Sequence, residues 1–293
     1  AAAVEAIRTN LTTLNPGLLD NPELLQEQVT NAASHVGAWQ WCFWVPALFA
    51  LAGAVGLFVF LRDTPKSVGL PELEGTHTKV EENTNSAEYK AFLKEKAFRN
   101  PLIWILAFAN FFVYVVRFAV LDWGPKFLQE ARGLEPADAG WIIAVSEIMG
   151  IVGMLVAGWA TDKFFKGRAH RTCVFCMLGA AAFMSIFYFL PGTSPVVLLA
   201  GVLGMVGFFI YGPQALLGIA AANQATNKAS ATANGILGIF GYASTLISGV
   251  GFGYVAQHYG WNGAYITMMV MALLGAVSLL TMWSAKADGY EEI

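Results

Sequence analysis

Charged side chains are scarce in this sequence. Only 13% of its 293 residues are Asp, Glu, Lys or Arg, against 56% hydrophobic. A soluble domain carries about a quarter charged residues, so this chain cannot build a water-facing surface of ordinary extent. Cysteine is nearly absent, and three residues exclude a disulfide framework. Cys173 and Cys176 form a C-x-x-C within an apolar block, with no second pair. They are expected to be small apolar packing residues rather than a metal or redox pair. No nucleophile with a base partner, no metal-ligand spacing and no phosphate-cradling glycine loop is present, so no enzyme activity and no cofactor are expected. The net charge of −3 comes with no basic domain, which leaves no nucleic-acid surface. The start, AAAVEAIRTN, lacks an initiator Met and the basic and apolar regions of a signal peptide. It reads as part of something longer.

What the chain does have is apolar runs of roughly 20 residues, long enough to cross a bilayer. Seven transmembrane helices are predicted: 39–61, 101–123, 140–160, 172–190, 196–219, 232–257 and 262–284. Residues 1–38 are polar and turn-rich (Asn15-Pro16-Gly17, Asn21-Pro22), with short amphipathic helices possible. Residues 62–100 are polar and of mixed charge, a flexible loop ending in a short surface helix from Ala87 to Phe98. The connections after residue 100 are short, so sequence neighbours are expected to be antiparallel neighbours in space. The fold class is an all-α membrane bundle.

Basic residues orient it. With 62–100 placed inside, the inner segments hold seven Lys or Arg in that loop plus Lys163, Lys166, Arg168, Arg171, Lys228 and Lys286. The outer segments hold Arg8, Lys126 and Arg132. The positive-inside rule therefore puts the N-terminal segment outside and the C-terminal tail, 286–293, in the cytoplasm. Trp39, Trp41, Trp123, Trp141 and Trp261 then form an outer aromatic belt.

Two charges fall inside spans, at a cost of about 2.5–3.5 kcal/mol each. Arg117 lies six residues before Trp123, and Glu147 six after Trp141. At 1.5 Å per residue each sits about 9 Å below the interface, so the two are expected to meet as an ion pair. Asp122 lies near the outer end of Arg117's span. Arg117 could instead snorkel outward in a purely structural role. Asn110 and Tyr114 share its stripe, however, and Asn, Tyr and Arg on one face suit a wet cavity. A guanidinium there matches the oxygens of phosphate or carboxylate, so an anionic solute is expected. In the span 196–219, Pro213 within Tyr211-Gly212-Pro213-Gln214 is expected to bend the helix toward the cavity. In 232–257, Gly235, Gly238, Gly241, Gly249 and Gly253 are expected to mark close helix packing. Tyr242, near its middle, suits either packing or ligand contact.

The turn after the span 140–160 reads Gly158-Trp-Ala-Thr-Asp162-Lys163-Phe-Phe-Lys-Gly167-Arg168. It resembles the G-x-x-x-D-[RK]-…-G-[RK] signature of the major facilitator superfamily, found at the cytoplasmic turn after the second helix of each six-helix half. There the Gly would allow close packing, the Asp would cap a helix N-terminus, and the basic cluster would hold the turn inside. Three further stretches tighten the likeness: Arg62-Asp-Thr-Pro-Lys-Ser-Val-Gly-Leu-Pro71, Val113-Tyr-Val-Val-Arg117-Phe-Ala-Val-Leu-Asp122-Trp123, and Ile210-Tyr-Gly-Pro213, with Phe240-Gly-Tyr242 also fitting. From about residue 36 to 284 the chain resembles the organophosphate:phosphate antiporters, the group of glycerol-3-phosphate and hexose-phosphate transporters.

That resemblance implies an architecture and a site. Residues 39–61 would be the last helix of a first half, 62–100 the cytoplasmic loop between halves, and 101–285 the complete second half. The partners would be the absent N-terminal half, the bilayer, a phosphorylated solute and inorganic phosphate, in the inner membrane. Arg117 would bind the substrate phosphate with a counterpart in the first half. Asp122 and Glu147 would belong to ion pairs that rearrange during alternating access. Tyr114, Tyr211 and Tyr242 would be cavity tyrosines, beside Asn110 and Gln214. The turn Asn223-Gln-Ala-Thr-Asn-Lys228 is poorer in charge than that family usually shows. The expected activity is exchange of a phosphorylated metabolite for phosphate. A receptor that senses an external sugar phosphate, or a carrier of a non-phosphorylated organic anion, is the alternative.

Overall fold

The computed structural model describes residues 2–36, 40–62, 69 and 86–286. Most of the stretch 62–71, the loop up to residue 85, the tail after 286 and Trp39 of the expected belt lie outside the described residues. Those that are described fold into helices with no strand among them. Two compact units result, Ala1–Val80 and Glu81–Ile293.

In the first unit, the turn signals at Asn15-Pro16 and Asn21-Pro22 divide the polar stretch into α1 (Ala2–Leu14), a 3-10 turn (Pro16–Asp20) and α2 (Pro22–Val36). Asn21 caps α2 by accepting from the Leu24 amide at 3.3 Å. Leu18, Leu25 and Val29 form a small core with Leu11 against it. Helix α3 (Trp41–Phe60) is apolar on every side, and none of its residues is buried. Its 20 residues give about 30 Å of rise, the thickness of a hydrocarbon core.

The second unit opens with the short helix expected at Ala87 to Phe98. It is α4 (Ala87–Leu93), capped by Ser86 and running into a π-turn (Lys94–Phe98). Then come α5 (Pro101–Arg132), α6 (Pro136–Phe165), α7 (Ala169–Phe189), α8 (Val196–Leu246) and, after a π-turn (Ile247–Gly251), α9 (Phe252–Leu280). α8 breaks at Thr226 (φ 68, ψ 166) and α9 at Gly260 (φ 70, ψ 178). With α3, six helices are long and apolar enough to cross a membrane, the last running Lys228–Leu280. The Gly260 break divides that one into 228–259 and 261–280, which fits the seven spans expected. Gly260 takes its positive φ freely. Thr226 is β-branched in a region otherwise reserved for glycine, a strained turn.

Several boundaries and contacts differ from expectation. α5 does not stop at Trp123; it passes through Pro125 to Arg132. Its last turns are amphipathic, with Leu128 buried and Lys126 and Glu130 exposed and 3.7 Å apart, so hydropathy alone ends the helix too early. Arg132 then donates to the carbonyls of Leu190 (2.6 Å) and Phe187 (2.8 Å), satisfying the end of α7. Through Pro213 the backbone of α8 keeps helical dihedrals, and the break comes later, at Thr226.

Sequence neighbours do touch, but the first stretch of α8 makes the closest approaches, to α6 and α7. An added Cβ at Gly153 would run into the Phe208 carbonyl, and one at Gly207 into the Ser146 carbonyl. Gly212 faces Ala157 Cβ and Cys176 Sγ at 2.9 and 3.0 Å from such a Cβ. Cys173 and Cys176 are free thiols buried in this packing. The glycines expected to mark close packing behave differently. Gly241 abuts Asn110 and Gly253 abuts Trp123, but Gly235, Gly238 and Gly249 face open space. Short loops determine which helices are connected; small residues determine which come closest.

Candidate functional site

Arg117 projects from α5 one turn beyond Tyr114, and both are half-buried. Its Nη2 donates to the Tyr211 hydroxyl at 3.1 Å. The guanidinium carbon lies 5.0 Å from the Tyr211 ring centre and 5.4 Å from that of Phe118, within cation–π range. The Tyr211 hydroxyl in turn donates to Glu147 Oε2 on α6. Arg117 and Glu147 therefore meet at one level, as expected, but not as a direct pair: a tyrosine from α8 stands between them. The reason is the tight α6–α8 approach. Gly150, one turn from Glu147, leaves the space that the Tyr211 ring fills, and a Cβ there would lie 2.5 Å from Tyr211 Cδ2.

Two polar atoms of this region are buried without a hydrogen-bond partner, Arg117 Nε and Gln214 Oε1. One is a donor and the other an acceptor. Native interiors seldom leave such atoms unpaired.

The remaining expected residues divide. Asn110 is not on an open face: it is buried, and its amide donates to the Leu237 carbonyl at 2.8 Å, clamping α5 to the second stretch of α8. Tyr114 meets Tyr242 edge-on at 6.4 Å, with Tyr242 exposed. Asp122 is exposed and takes no part in the Arg117–Tyr211–Glu147 chain.

The signature turn also departs from expectation. Gly158 faces open space, so it permits no close contact within this bundle. Asp162 does not cap a helix N-terminus: it is exposed in the last turn of α6, and Arg168 occupies the N-cap of α7 without a side-chain bond. The turn is closed instead by two left-handed residues, Lys166 (φ 52) and Gly167 (φ 77), with the Gly167 amide reaching the Thr161 carbonyl at 3.1 Å. Lys163 lies 4.7 Å over the Trp159 ring. Behind the turn, the buried hydroxyls of Thr161 and Thr172 meet at 2.7 Å. Sequence reasoning missed that contact, along with Phe118 and Gly150, since each depends on which helices adjoin. At the far end of α5, Trp123 donates to the Ser248 carbonyl at 3.0 Å, and its ring centre lies 6.3 Å from that of Trp261. Among the described residues, no three His, Cys, Asp or Glu side chains gather as a metal site requires.

This arrangement presents a guanidinium within the span, held by one hydroxyl, with a further donor free. It can bind an oxyanion. Residues 30–247 match a family model described as Major Facilitator Superfamily. The chain is 33% identical over 267 residues to the Glycerol-3-phosphate transporter of Bacillus subtilis (strain 168), covering 89% of this chain and 60% of that protein. It is 31% identical over 260 residues to the Membrane sensor protein UhpC of Escherichia coli (strain K12), covering 87% of this chain and 59% of that protein. It is 29% identical over 255 residues to the Hexose-6-phosphate:phosphate antiporter of the same organism, covering 82% of this chain and 54% of that protein. The chain thus spans between half and two thirds of the length of these curated relatives.

Proposed function

The chain belongs to the major facilitator superfamily, and from that premise we propose that the full-length protein exchanges a phosphorylated organic metabolite, glycerol-3-phosphate or a sugar phosphate, for inorganic phosphate across the cytoplasmic membrane. In this reading residues 101–285 are the six-helix second half of the carrier and 39–61 the last helix of the first half. Residues 62–100 are the cytoplasmic loop between the halves, 1–38 an extracytoplasmic segment and 286–293 a cytoplasmic tail. The first half supplies the other side of the binding site.

The observation that carries the reading is Arg117, a guanidinium inside a span with Nη2 on Tyr211 and an unpartnered Nε. Its planar fork matches two phosphate oxygens at once. In the substrate-free site its charge is balanced by Glu147 through the Tyr211 hydroxyl. An arriving phosphate covers both Arg117 and its basic counterpart in the first half, and the two halves close around it. Exchange follows, because without an anion that counterpart stays uncovered and the empty site closes poorly. Glu147 and Tyr211 are positioning groups here, and Tyr114 lines the same face.

Substitution of Arg117 by Lys keeps the charge and removes the fork. In the full-length protein, reconstituted in proteoliposomes, Arg117→Lys is expected to abolish phosphate exchange; exchange at the native rate by that variant would sink the assignment. A second reading, a sensor of external sugar phosphate, is favoured by the similarity to the Membrane sensor protein UhpC. A sensor keeps Arg117 and binds its ligand with little flux. Binding and uptake measured on the same preparation separate the two.

A further inference from the structure

Gln214 follows Tyr211 by three residues on α8, about 4.5 Å further along the axis and turned by about 60°. Its carboxamide oxygen is buried and has no hydrogen-bond partner. The hydrogen bonds of Asn110, Asn234 and Tyr211 run elsewhere. Asn110 on α5 gives its amide to Leu237, Asn234 on the second stretch of α8 gives its amide to the Ser230 carbonyl at 3.1 Å, and Tyr211 gives its proton to Glu147. Where Asn234 approaches the first stretch of α8, at Gly218, it presents its oxygen rather than its nitrogen. The oxygen of Gln214 is therefore open to a donor that a bound molecule can bring.

Arg117 and Gln214 are complementary in what they lack. Arg117 Nε needs an acceptor, and Gln214 Oε1 needs a donor. A phosphate monoester whose organic part carries a hydroxyl has both in one molecule: phosphoryl oxygens for the guanidinium and an O–H for the carboxamide. Resting on the phosphate-exchange reading, we propose that Gln214 is a specificity-determining residue. Its carboxamide oxygen accepts a hydrogen bond from a substrate hydroxyl while Arg117 holds the phosphoryl group. The site thereby selects hydroxyl-bearing phosphate esters over esters of the same charge without a hydroxyl.

The test compares two probes on the full-length protein in detergent or proteoliposomes. Glycerol phosphate carries hydroxyls; methyl phosphate has the same phosphoryl group and none. Gln214→Met preserves the length of the side chain and removes the acceptor without leaving an unpaired atom behind. It is expected to weaken glycerol phosphate binding roughly 5- to 15-fold and to leave methyl phosphate within about twofold of native. Gln214→Leu is expected to behave alike, and agreement between the two variants separates the lost acceptor from any misfit of one side chain. Equal weakening of both probes, or no change in either, overturns the proposal. If the native protein binds neither probe, the phosphate reading itself falls and this inference with it. If the native protein binds both and neither variant alters their ratio, the inference alone falls.

Discussion

Tyr211 has one proton to give, and Glu147 receives it, so the phenolic oxygen can serve Arg117 only as an acceptor. Removing that oxygen deprives both charged groups of their shared partner. Tyr211→Phe and Glu147→Gln are therefore expected to be non-additive: the double variant is destabilised less than the sum of the singles, with a coupling of about 0.5–3 kcal/mol. Thermal or chemical unfolding of the four proteins in one detergent measures it, and simple additivity would mean that the three residues do not act as a unit. The two charges were legible from the sequence because each lies a fixed number of residues from a tryptophan, and helical rise converts that spacing into depth. The hydroxyl between them was not. Spacing within one helix assigns face and depth, yet it cannot say which third helix intervenes. Asn110 illustrates the same limit from the other side. It shares Arg117's stripe, but a backbone carbonyl of a distant helix claims its amide.

Helices were legible by hydropathy and their ends were not, since α5 continues for two amphipathic turns after its apolar run finishes. Glycines were the least legible feature at this scale. The run between residues 235 and 253 has the more conspicuous pattern, but the tightest backbone approach is made by Gly153 and Gly207, between α6 and the first stretch of α8. At Gly153 the obstacle to a side chain is the Phe208 carbonyl, a backbone atom that cannot rotate away. Gly153→Ala is thus expected to force the helices apart and lower stability by about 1–3 kcal/mol. Gly158→Ala, on the same helix but facing open space, is expected to be neutral or to gain the roughly 0.5–1 kcal/mol of better helix propensity. Melting temperatures of the two variants in the same detergent check the contrast, and equal shifts would contradict the helix contact described here.

For the molecule as a whole, the proposed orientation rests on the distribution of Lys and Arg, and labelling tests it directly. Lys126 and Lys163 are both exposed and follow consecutive spans. In a Cys42→Ser background, which removes the exposed native thiol and leaves only the buried Cys173 and Cys176, single cysteines are placed at 126 and 163. In intact cells, a membrane-impermeant thiol reagent is expected to modify position 126 and to reach position 163 only after permeabilisation. The reverse pattern would invert the topology. One further consequence follows from the turn after the first stretch of α8. Asn100, at the head of α5, donates its side-chain amide to the Gln224 carbonyl, and Gln224 donates its own to the carbonyl of Lys286, beyond the end of α9. The head of α5 and the segment just after α9 are thus fastened to a single residue in the turn between the two stretches of α8. During synthesis the first of these bonds can form as soon as the turn emerges, but the second must wait for Lys286. That clasp is therefore closed only after the whole of α9 has been made, and a nascent chain stalled just short of Lys286 holds every long helix of this unit but lacks it.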